Sequence, residues 1–170
     1  IISYGDIIFE EKILEKLIQC EDDFAVVIDK NWKKYWKMRF QDPLNDAESL
    51  KIDNNGFITN IGQKVDNSNE IEGQYIGLMK IKKNAIKNLK EFYESKKIES
   101  KIGINPLNEK IPFEQSFMTD LIQGLIDSDN KIKAVPISGG WLELDTIDDY
   151  ELYQKMENEN TIDQLISIKD

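Results

Sequence analysis

Apolar and polar positions follow one another along the chain in the manner of a mixed α/β protein. Residues 1–5 are predicted to form a strand that ends at Gly5–Asp6, and Glu10 to Cys20 has apolar residues at helical spacing. Phe24 to Ile28 is a short, continuous apolar run, which is typical of a buried parallel strand. These three segments predict one right-handed β-α-β unit at the start of the chain.

A β-hairpin is predicted at 49–61, because two alternating runs flank the turn signal Asn54-Asn55-Gly56. The same criteria predict helices at 31–39, 84–93, 113–127, 146 onward and 161–168, strands at 74–81, 131–137 and 141–144, and an irregular segment at 95–110. This order of elements predicts a three-layer α/β/α fold with a mixed sheet and a β-hairpin insertion. We expect residues 1–170 to form a single domain.

Charge and composition restrict the partners that we expect. The net charge is −10, which argues against a nucleic-acid partner. No apolar run reaches the ~20 residues that a membrane helix needs, so no membrane partner is expected. The single cysteine, Cys20, allows no disulfide within the chain, and nothing indicates secretion. We therefore expect a cytoplasmic protein.

The chain contains no histidine, and Arg39 is its only arginine. The absence of histidine excludes Ser-His-Asp and Cys-His triads within the chain, as well as nearly every kind of zinc site. Any catalysis by these residues must depend on carboxylates, lysines, hydroxyl groups and a metal ion.

Two aspartates stand where an apolar run meets the predicted start of a helix. Asp6 follows Ser3-Tyr4-Gly5, and Asp145 follows Trp141-Leu142-Glu143-Leu144. Strand ends of this kind face the ligand crevice of an open α/β sheet, and two carboxylates there would suit Mg²⁺ on substrate phosphates. Each aspartate also has a structural explanation, Asp6 as a turn residue and Asp145 as part of a helix cap.

A basic and aromatic stretch occupies residues 31–39. If it is helical, Trp32 and Trp36 share a face, with Tyr35 and Arg39 beside them. Rings next to basic groups would suit a zwitterionic substrate, but the same pattern fits a buried helix with solvated lysines. Lys64, which follows a strand, could contact the phosphate of an acceptor or be a surface lysine.

Five segments together resemble the sugar-phosphate nucleotidyltransferases: Tyr4-Gly5-Asp6-Ile7-Ile8-Phe9, Ile61-Gly62-Gln63-Lys64, Gly73 to Met79, Met118 to Ile122, and Trp141 to Thr146. The Ser-Tyr-Gly-Asp start and Asn31-Trp32-Lys33-Lys34-Tyr35 are most similar to the phosphocholine and 2-aminoethylphosphonate cytidylyltransferases, including domains fused to phosphoenolpyruvate mutase. Gln63-Lys64-Val65 stands where sugar-specific members often have Glu-Lys-Pro.

The resemblance implies a truncated Rossmann-like nucleotidyltransferase fold. It also implies transfer of CMP from CTP to phosphocholine or 2-aminoethylphosphonate, with release of pyrophosphate. Asp6 and Asp145 would bind Mg²⁺, and Lys64 would act with them in catalysis. The implied substrate-binding residues are Trp32, Tyr35, Trp36, Arg39, Tyr75 and Trp141. The alternatives are a sugar 1-phosphate nucleotidyltransferase and a non-catalytic α/β domain that binds a metabolite or a partner.

The family's glycine-rich nucleotide-binding loop is absent from these 170 residues; of the nine glycines only Gly139-Gly140 stand close together. We therefore expect the chain to be the C-terminal part of a nucleotidyltransferase domain. It would be inactive alone and completed by an N-terminal segment of the same enzyme.

Overall fold

A four-stranded mixed sheet, with strand order β1-β6-β3-β7, lies at the centre of the protein. The structure, a computed structural model, describes residues 1–167. Its strands are β1 (Ile2–Ser3), β2 (Ile7–Phe9), β3 (Phe24–Asp29), β4 (Glu48–Ile52), β5 (Ile58–Lys64), β6 (Gln74–Ile81), β7 (Lys133–Ile137) and β8 (Trp141–Glu143). Its helices are α1 (Glu11–Gln19), α2 (Trp32–Arg39), α3 (Lys83–Ser100), α4 (Met118–Asp127) and α5 (Ile147–Asn158).

Strand β3 is the middle of the sheet, and all six of its residues are buried. It pairs antiparallel with β6 and parallel with β7. Strand β1 also pairs antiparallel with β6, so β1 and β3 run in the same direction with β6 between them. The predicted β-α-β unit is therefore split by an inserted strand, which the sequence did not indicate.

The sheet has a hydrophobic core on each face. Phe24, Val26 and Ile28 contribute to one core, whereas Ala25 and Val27 contribute to the other, because successive strand side chains point to opposite faces. Helices α1, α2 and α5 cover the second face. The β4–β5 hairpin, with α3 and α4, covers the first. The three-layer fold and its hairpin insertion are thus confirmed.

Strand β6 contains a glycine on which an aromatic ring rests. Gly77 has φ +80, and a Cβ there would lie 2.6 Å from two ring atoms of Tyr4. The backbone N–H of Tyr4 donates to the carbonyl of Gly77 at 2.9 Å. Only glycine combines this backbone conformation with so close an approach. The chain leaves β1 at this point and turns toward Asp6.

Several predicted boundaries are wrong. Asp6 does not precede a helix, because strand β2 intervenes between it and α1. Helix α3 runs to Ser100 across much of the segment predicted to be irregular, since no glycine or proline interrupts it before Gly103.

The helix predicted at 113–127 is divided into a short 3-10 helix at Phe113–Gln115 and α4. The helical pattern of 113–127 predicts a buried Phe117, but this residue stands at the start of α4 and is 62% exposed. At the last predicted helix a 3-10 helix covers Ile162–Gln164, and Ile168 lies outside the described residues. Within residues 1–167, no helix combines the length and apolarity of a membrane span.

Candidate functional site

A two-stranded antiparallel ribbon brings the two predicted metal-binding segments together. Strand β2 pairs with β8, with Ile7 opposite Glu143 and Phe9 opposite Trp141. Beyond the last pair, the N–H of Leu144 donates to the carbonyl of Asp6 at 2.9 Å. Asp6 and Asp145 therefore lie on neighbouring backbone segments although most of the sequence separates them.

The carboxylates of this ribbon end have the chemistry that Mg²⁺ prefers. Asp6 is exposed, and the Asp145 side chain is 41% exposed. Among residues 1–167, no group of three or more acidic or cysteine side chains is arranged to hold a metal ion. Mg²⁺ is commonly held by one or two carboxylates together with substrate phosphates and water. Asp6 and Asp145 supply hard oxygen donors of the kind that such a site uses.

One buried guanidinium connects this ribbon to α5. The Arg39 side chain, at the end of α2, is 1% exposed. Its Nη1 donates to Glu143 at 2.5 Å, its Nη2 donates to Asp145 at 3.1 Å, and its Nε donates to Asp149 at 2.7 Å. A second bond joins Nη2 to Asp149 at 3.1 Å. Four of its five N–H groups thus donate to carboxylates, and the side chain is buried, so this placement argues against direct contact of Arg39 with a substrate.

The ionisation of Glu143 is strongly affected by its surroundings. Burial raises the pKa of Glu143 to about 7, and the nearby charges of Asp145 and Asp46 act in the same direction, while Arg39 opposes them. Asp149 shows the opposite result. Burial disfavours its charge, but the bonds from Arg39 and Thr146 outweigh that effect and lower the pKa of Asp149. The site therefore contains one carboxylate held firmly in its charged form and one near its titration point at neutral pH.

The predicted aromatic substrate site is part of the hydrophobic core. Trp32, Tyr35 and Trp36 are each 4% exposed, and Trp141 is 1% exposed. Their rings contact one another edge-on or tilted, with centroids 5.3–6.2 Å apart. The lysines of α2 lie on its exposed side. Of the two explanations of this stretch, the buried helix is the one observed, and the rings present no open face to a ligand.

Two tyrosine hydroxyls fix the backbone of β8. The Glu143 N–H donates to Tyr35 Oη, and the Tyr153 hydroxyl donates to the Glu143 carbonyl, each at 2.8 Å. The two hydroxyls are 2.5 Å apart, so Tyr35 donates to Tyr153 and closes the ring. Burial raises the pKa of both hydroxyls, that of Tyr153 to about 12, which keeps them protonated at neutral pH. This ring holds the strand that leads to Asp145.

Tyr75, another predicted substrate-binding residue, packs edge-on against Tyr4 with ring centroids 5.7 Å apart. Burial raises the pKa of Tyr4, and the charges of Glu48, Asp6 and Glu143 add to the effect. Tyr75 therefore contacts another aromatic side chain, and the raised pKa keeps the Tyr4 hydroxyl protonated at neutral pH.

A cavity of about 620 Å³ opens beside the hairpin. It lies between residues 44–48, the end of β5 at 62–64 and the loop at 107–110. Its polar lining includes Asn45, Glu48, Gln63, Lys64, Asn108 and Lys110. Asp46 connects the cavity with the buried aromatic rings of α2, because it lines the cavity and accepts the Trp36 indole N–H at 2.8 Å. Lys64 is thus placed in a cavity with amide, ammonium and carboxylate groups.

Helix α4 meets the hairpin next to Lys64. Gly62 has φ +79, and a Cβ there would lie 2.5 Å from Thr119 Cβ. Asp120 is buried, accepts the Phe117 N–H at 2.8 Å and lines the cavity. Burial raises the pKa of Glu48, and repulsion by Asp120 and Asp46 contributes. Thr119 thus packs against Gly62, and its neighbour Asp120 borders the cavity.

Asp29, which organises the turn before β8, was not among the predicted site residues. It is 0% exposed and accepts the Asn31 N–H at 2.8 Å and, at 3.0 Å each, the Gly139 N–H and the Trp141 indole N–H. A single aspartate that ends a continuous apolar run was the available signal. Asp149 and Tyr153 had no such signal, because they contact residues of α2 more than 100 positions away.

The chain was compared with known proteins, and no protein-family model matches it. It is 40% identical over 152 residues to a protein of Campylobacter jejuni subsp. jejuni named CTP:phosphoglutamine cytidylyltransferase. That match covers 89% of this chain and 57% of the relative, so the chain spans little more than half the relative's length.

The inositol-1-phosphate CTP transferase from T. maritima is similar in structure, with a TM-score of 0.58 at 16% identity. The similarity covers 98% of this chain and 56% of the other, and at that identity it shows the fold. The resemblance predicted from the sequence is thereby confirmed: the chain is related to a CTP-dependent cytidylyltransferase and has a nucleotidyltransferase-like fold.

Proposed function

We propose that the chain provides the metal-binding and acceptor-binding part of a Mg²⁺-dependent cytidylyltransferase. The enzyme would transfer CMP from CTP to a small phosphorylated acceptor and release pyrophosphate. The observation that carries this proposal is the pairing of β2 with β8, which places Asp6 and Asp145 at one end of a ribbon. The similarity to a cytidylyltransferase supports the choice of nucleotide.

The reaction suits a chain without histidine. A phosphate or phosphonate acceptor has a second pKa of about 6, so its oxygen is largely ionised at neutral pH and needs no general base. That oxygen attacks the α-phosphorus of CTP in line, a P–O bond forms, and the bond to pyrophosphate breaks. Lys64 would position the acceptor phosphate and offset its charge.

Asp6 and Asp145 would hold the Mg²⁺ ion. When bound, the ion supplies neutralisation of charge on the reacting phosphates. The two carboxylates contribute hard oxygen donors from adjacent backbone segments. The ring formed by Glu143, Tyr35 and Tyr153 keeps the Asp145 segment in register with β2.

The cavity around Lys64 supports an acceptor that carries several hydrogen-bonding groups. The prediction of phosphocholine or 2-aminoethylphosphonate followed from a family resemblance at Ser3–Asp6 and at residues 31–35. The ligand contact that it assigned to the tryptophan rings is not supported, because those rings are buried. Amide, lysine and carboxylate side chains line the cavity instead. They suit an acceptor with its own amide, ammonium or carboxylate group, such as phosphoglutamine. A polyol or sugar phosphate is the second candidate, because amide side chains also bind hydroxyl groups.

The test is a transfer assay on the full-length gene product with CTP, Mg²⁺ and a panel of acceptors. The panel contains phosphoglutamine, phosphocholine, 2-aminoethylphosphonate and a sugar 1-phosphate. We expect Mg²⁺-dependent release of pyrophosphate and a CMP adduct, detected by mass spectrometry, with phosphoglutamine the best acceptor.

Asp6→Asn and Asp145→Asn should each reduce the rate by more than about 100-fold, because loss of a group that stabilises developing charge costs about 10²–10³. Asp148→Asn is the control, since Asp148 is exposed on the first turn of α5. If no nucleotide and no acceptor in the panel gave pyrophosphate, the non-catalytic binding domain would be favoured.

A further inference from the structure

The guanidinium of Arg39 holds three carboxylates unequally. Glu143 and Asp149 have side chains that are 18% and 4% exposed, and their bonds to Arg39 are 2.5 and 2.7 Å long. The bond to Asp145 is longer, at 3.1 Å, and it involves only Oδ2. The Asp145 side chain is also the most exposed of the three, at 41%. Arg39 is thus held by Glu143 and Asp149, the two less exposed carboxylates, and forms a single hydrogen bond to the more exposed Asp145.

We infer that Arg39 is a positioning residue, which holds Asp145 by one carboxylate oxygen and leaves the other oxygen directed toward a divalent cation. This inference depends on the proposed function of Asp145 as a metal ligand. It replaces the prediction that Arg39 binds the substrate directly. Arg39 would act through Asp145 without contacting the cation or either substrate.

The backbone around Asp145 is held by the same network. Its N–H donates to Asp149 Oδ2 at 3.1 Å, and Thr146 N–H donates to the same oxygen at 3.0 Å. Asp149 therefore ties the Asp145 backbone and the Arg39 guanidinium to the first turn of α5. The Asp145 side chain is restrained at its backbone and at one of its oxygens, which is the arrangement expected of a ligand oriented by outer-shell partners.

Lysine cannot replace arginine in this network. A guanidinium is a rigid planar fork with five N–H donors, whereas an ammonium group is a compact charge on a flexible stem. Arg39 uses its Nε and both Nη atoms to reach residues from β8 and α5 at once. The three carboxylates gather around one guanidinium, and Arg39 limits the repulsion that would separate them.

The variant Arg39→Lys tests the inference because it keeps the charge and removes the fork. Mn²⁺ is the probe, since it takes hard oxygen ligands, and the EPR signal of free Mn²⁺ reports binding to the full-length protein. We expect Arg39→Lys to weaken Mn²⁺ binding by about 10- to 100-fold, as loss of outer-shell partners typically does. The control Lys87→Gln removes an exposed ion pair with Glu91 and should leave binding unchanged.

A double-mutant cycle separates positioning from a general structural effect. In the Asp145→Asn background, Arg39→Lys should change Mn²⁺ affinity less than twofold, because the group that Arg39 positions is already altered. Folded Arg39→Lys protein with native Mn²⁺ affinity would overturn the inference. So would a loss of the same size in both backgrounds.

A measurement on the native protein keeps the inference testable if Arg39→Lys fails to fold. Arg39 is the only arginine of these 170 residues, so its Nε–H can be assigned by NMR. Substoichiometric Mn²⁺ should broaden that signal, and Asp145→Asn should abolish the broadening. A signal that stays sharp with Mn²⁺ bound would place the cation elsewhere and overturn the inference.

The two proposals can fail separately. If Arg39→Lys weakened Mn²⁺ binding only in protein that retains Asp145, and no acceptor received CMP, the cytidylyltransferase would be rejected and the role of Arg39 retained. CMP transfer with Mn²⁺ affinity unaffected by Arg39→Lys would reject the role of Arg39 alone.

Discussion

Among single residues, Asp149 accepts the most hydrogen bonds from the Arg39 guanidinium, which it shares with Glu143 and Asp145. It accepts two bonds from Arg39, at 2.7 and 3.1 Å, and it also closes the capping box with Thr146 at the start of α5. These bonds favour its ionised form and lower the pKa of Asp149 despite the opposing effect of burial. Glu143 has one bond to Arg39 and lies near Asp145 and Asp46, so its pKa is raised to about 7. The pKa of Asp149 is therefore lowered and that of Glu143 is raised, although both carboxylates bind the same guanidinium.

The first prediction is that Asp149→Asn lowers the free energy of unfolding by about 3 kcal/mol at pH 7. Breaking a buried ion pair by removing one partner typically costs this much, because the remaining charges lose their compensation. Urea unfolding followed by circular dichroism measures the change. Asp148→Asn, on the exposed side of the same helical turn, should cost no more than a few tenths of a kcal/mol.

The difference in unfolding free energy between the native protein and Asp149→Asn should decrease at low pH. The folded pKa of Asp149 lies below its unfolded value of about 3.9. The stability that its ionisation contributes is therefore complete above the unfolded pKa and is lost as pH falls through the folded pKa. The gap between native protein and Asp149→Asn should shrink as pH drops below about 4. A gap that stays constant between pH 7 and pH 3 would contradict this assignment.

At the scale of elements, strand β6 connects the central sheet with the chain that leads to Asp6. It pairs with both β1 and β3, and the β3 pairing shifts register between Val26 and Ile28. Gly77 gives Tyr4 space at the edge of the sheet, and the Tyr4 ring in turn contacts Tyr75. The position of the two-residue strand β1 therefore depends on the absence of a side chain in its neighbour.

The second prediction is that Gly77→Ala destabilises the protein by about 2–4 kcal/mol. The new methyl group would be in a left-handed backbone conformation and would meet the Tyr4 ring, so conformational strain and overpacking add. Thermal unfolding of the two proteins measures the difference. Gly5→Ala is the matched control, since a Cβ at Gly5 meets no atom within 4 Å. If both variants unfolded at the same temperature as the native protein, the packing of Tyr4 on Gly77 would not be important for stability.

In the whole molecule, the cavity is formed where four parts of the chain meet. Its lining comes from residues 44–48, 62–64 and 107–110 and from the start of α4, at Phe117 and Asp120. Four carboxylates (Asp46, Glu48, Glu109 and Asp120) and two lysines line it, so Lys64 and Lys110 are the lining groups that can offset the charge of a phosphate. The arrangement requires α4 to pack closely on β5 at Gly62.

The third prediction concerns Lys64 as the contact to the acceptor phosphate. Lys64→Gln should raise the KM for the acceptor by about 10- to 100-fold, since a hydrogen bond to a charged group contributes about 1.5–3 kcal/mol. The KM for CTP should stay within twofold. Steady-state kinetics of the full-length gene product provide both values. Lys51→Gln is the control, because Lys51 is an exposed lysine of the same hairpin. Equal effects of the two substitutions would make Lys64 an ordinary surface lysine.

The sequence by itself determined most of the elements and the type of fold. Strands β3 and β6, helix α1, the hairpin and the helix that begins after Thr146 all appear as predicted, because local periodicity and turn chemistry specify them. The fold and the family resemblance followed from the order of short motifs, and comparison with known proteins confirmed them. Helix α3 was predicted too short, since its second half has no strong apolar pattern and none of its residues is buried.

Tertiary structure decided how the residues with reactive groups are used. The sequence could not choose between an aromatic ligand site and a buried helix for residues 31–39, because the two share one pattern; packing against Trp141 made it a buried helix. The bonds of Arg39 join residues 104 to 110 positions apart, a separation over which periodicity carries no information. The pairing of β2 with β8 joins two short strands by backbone bonds, which any sequence can make. Only the folded chain therefore places Asp6, Asp145 and Arg39 in one region.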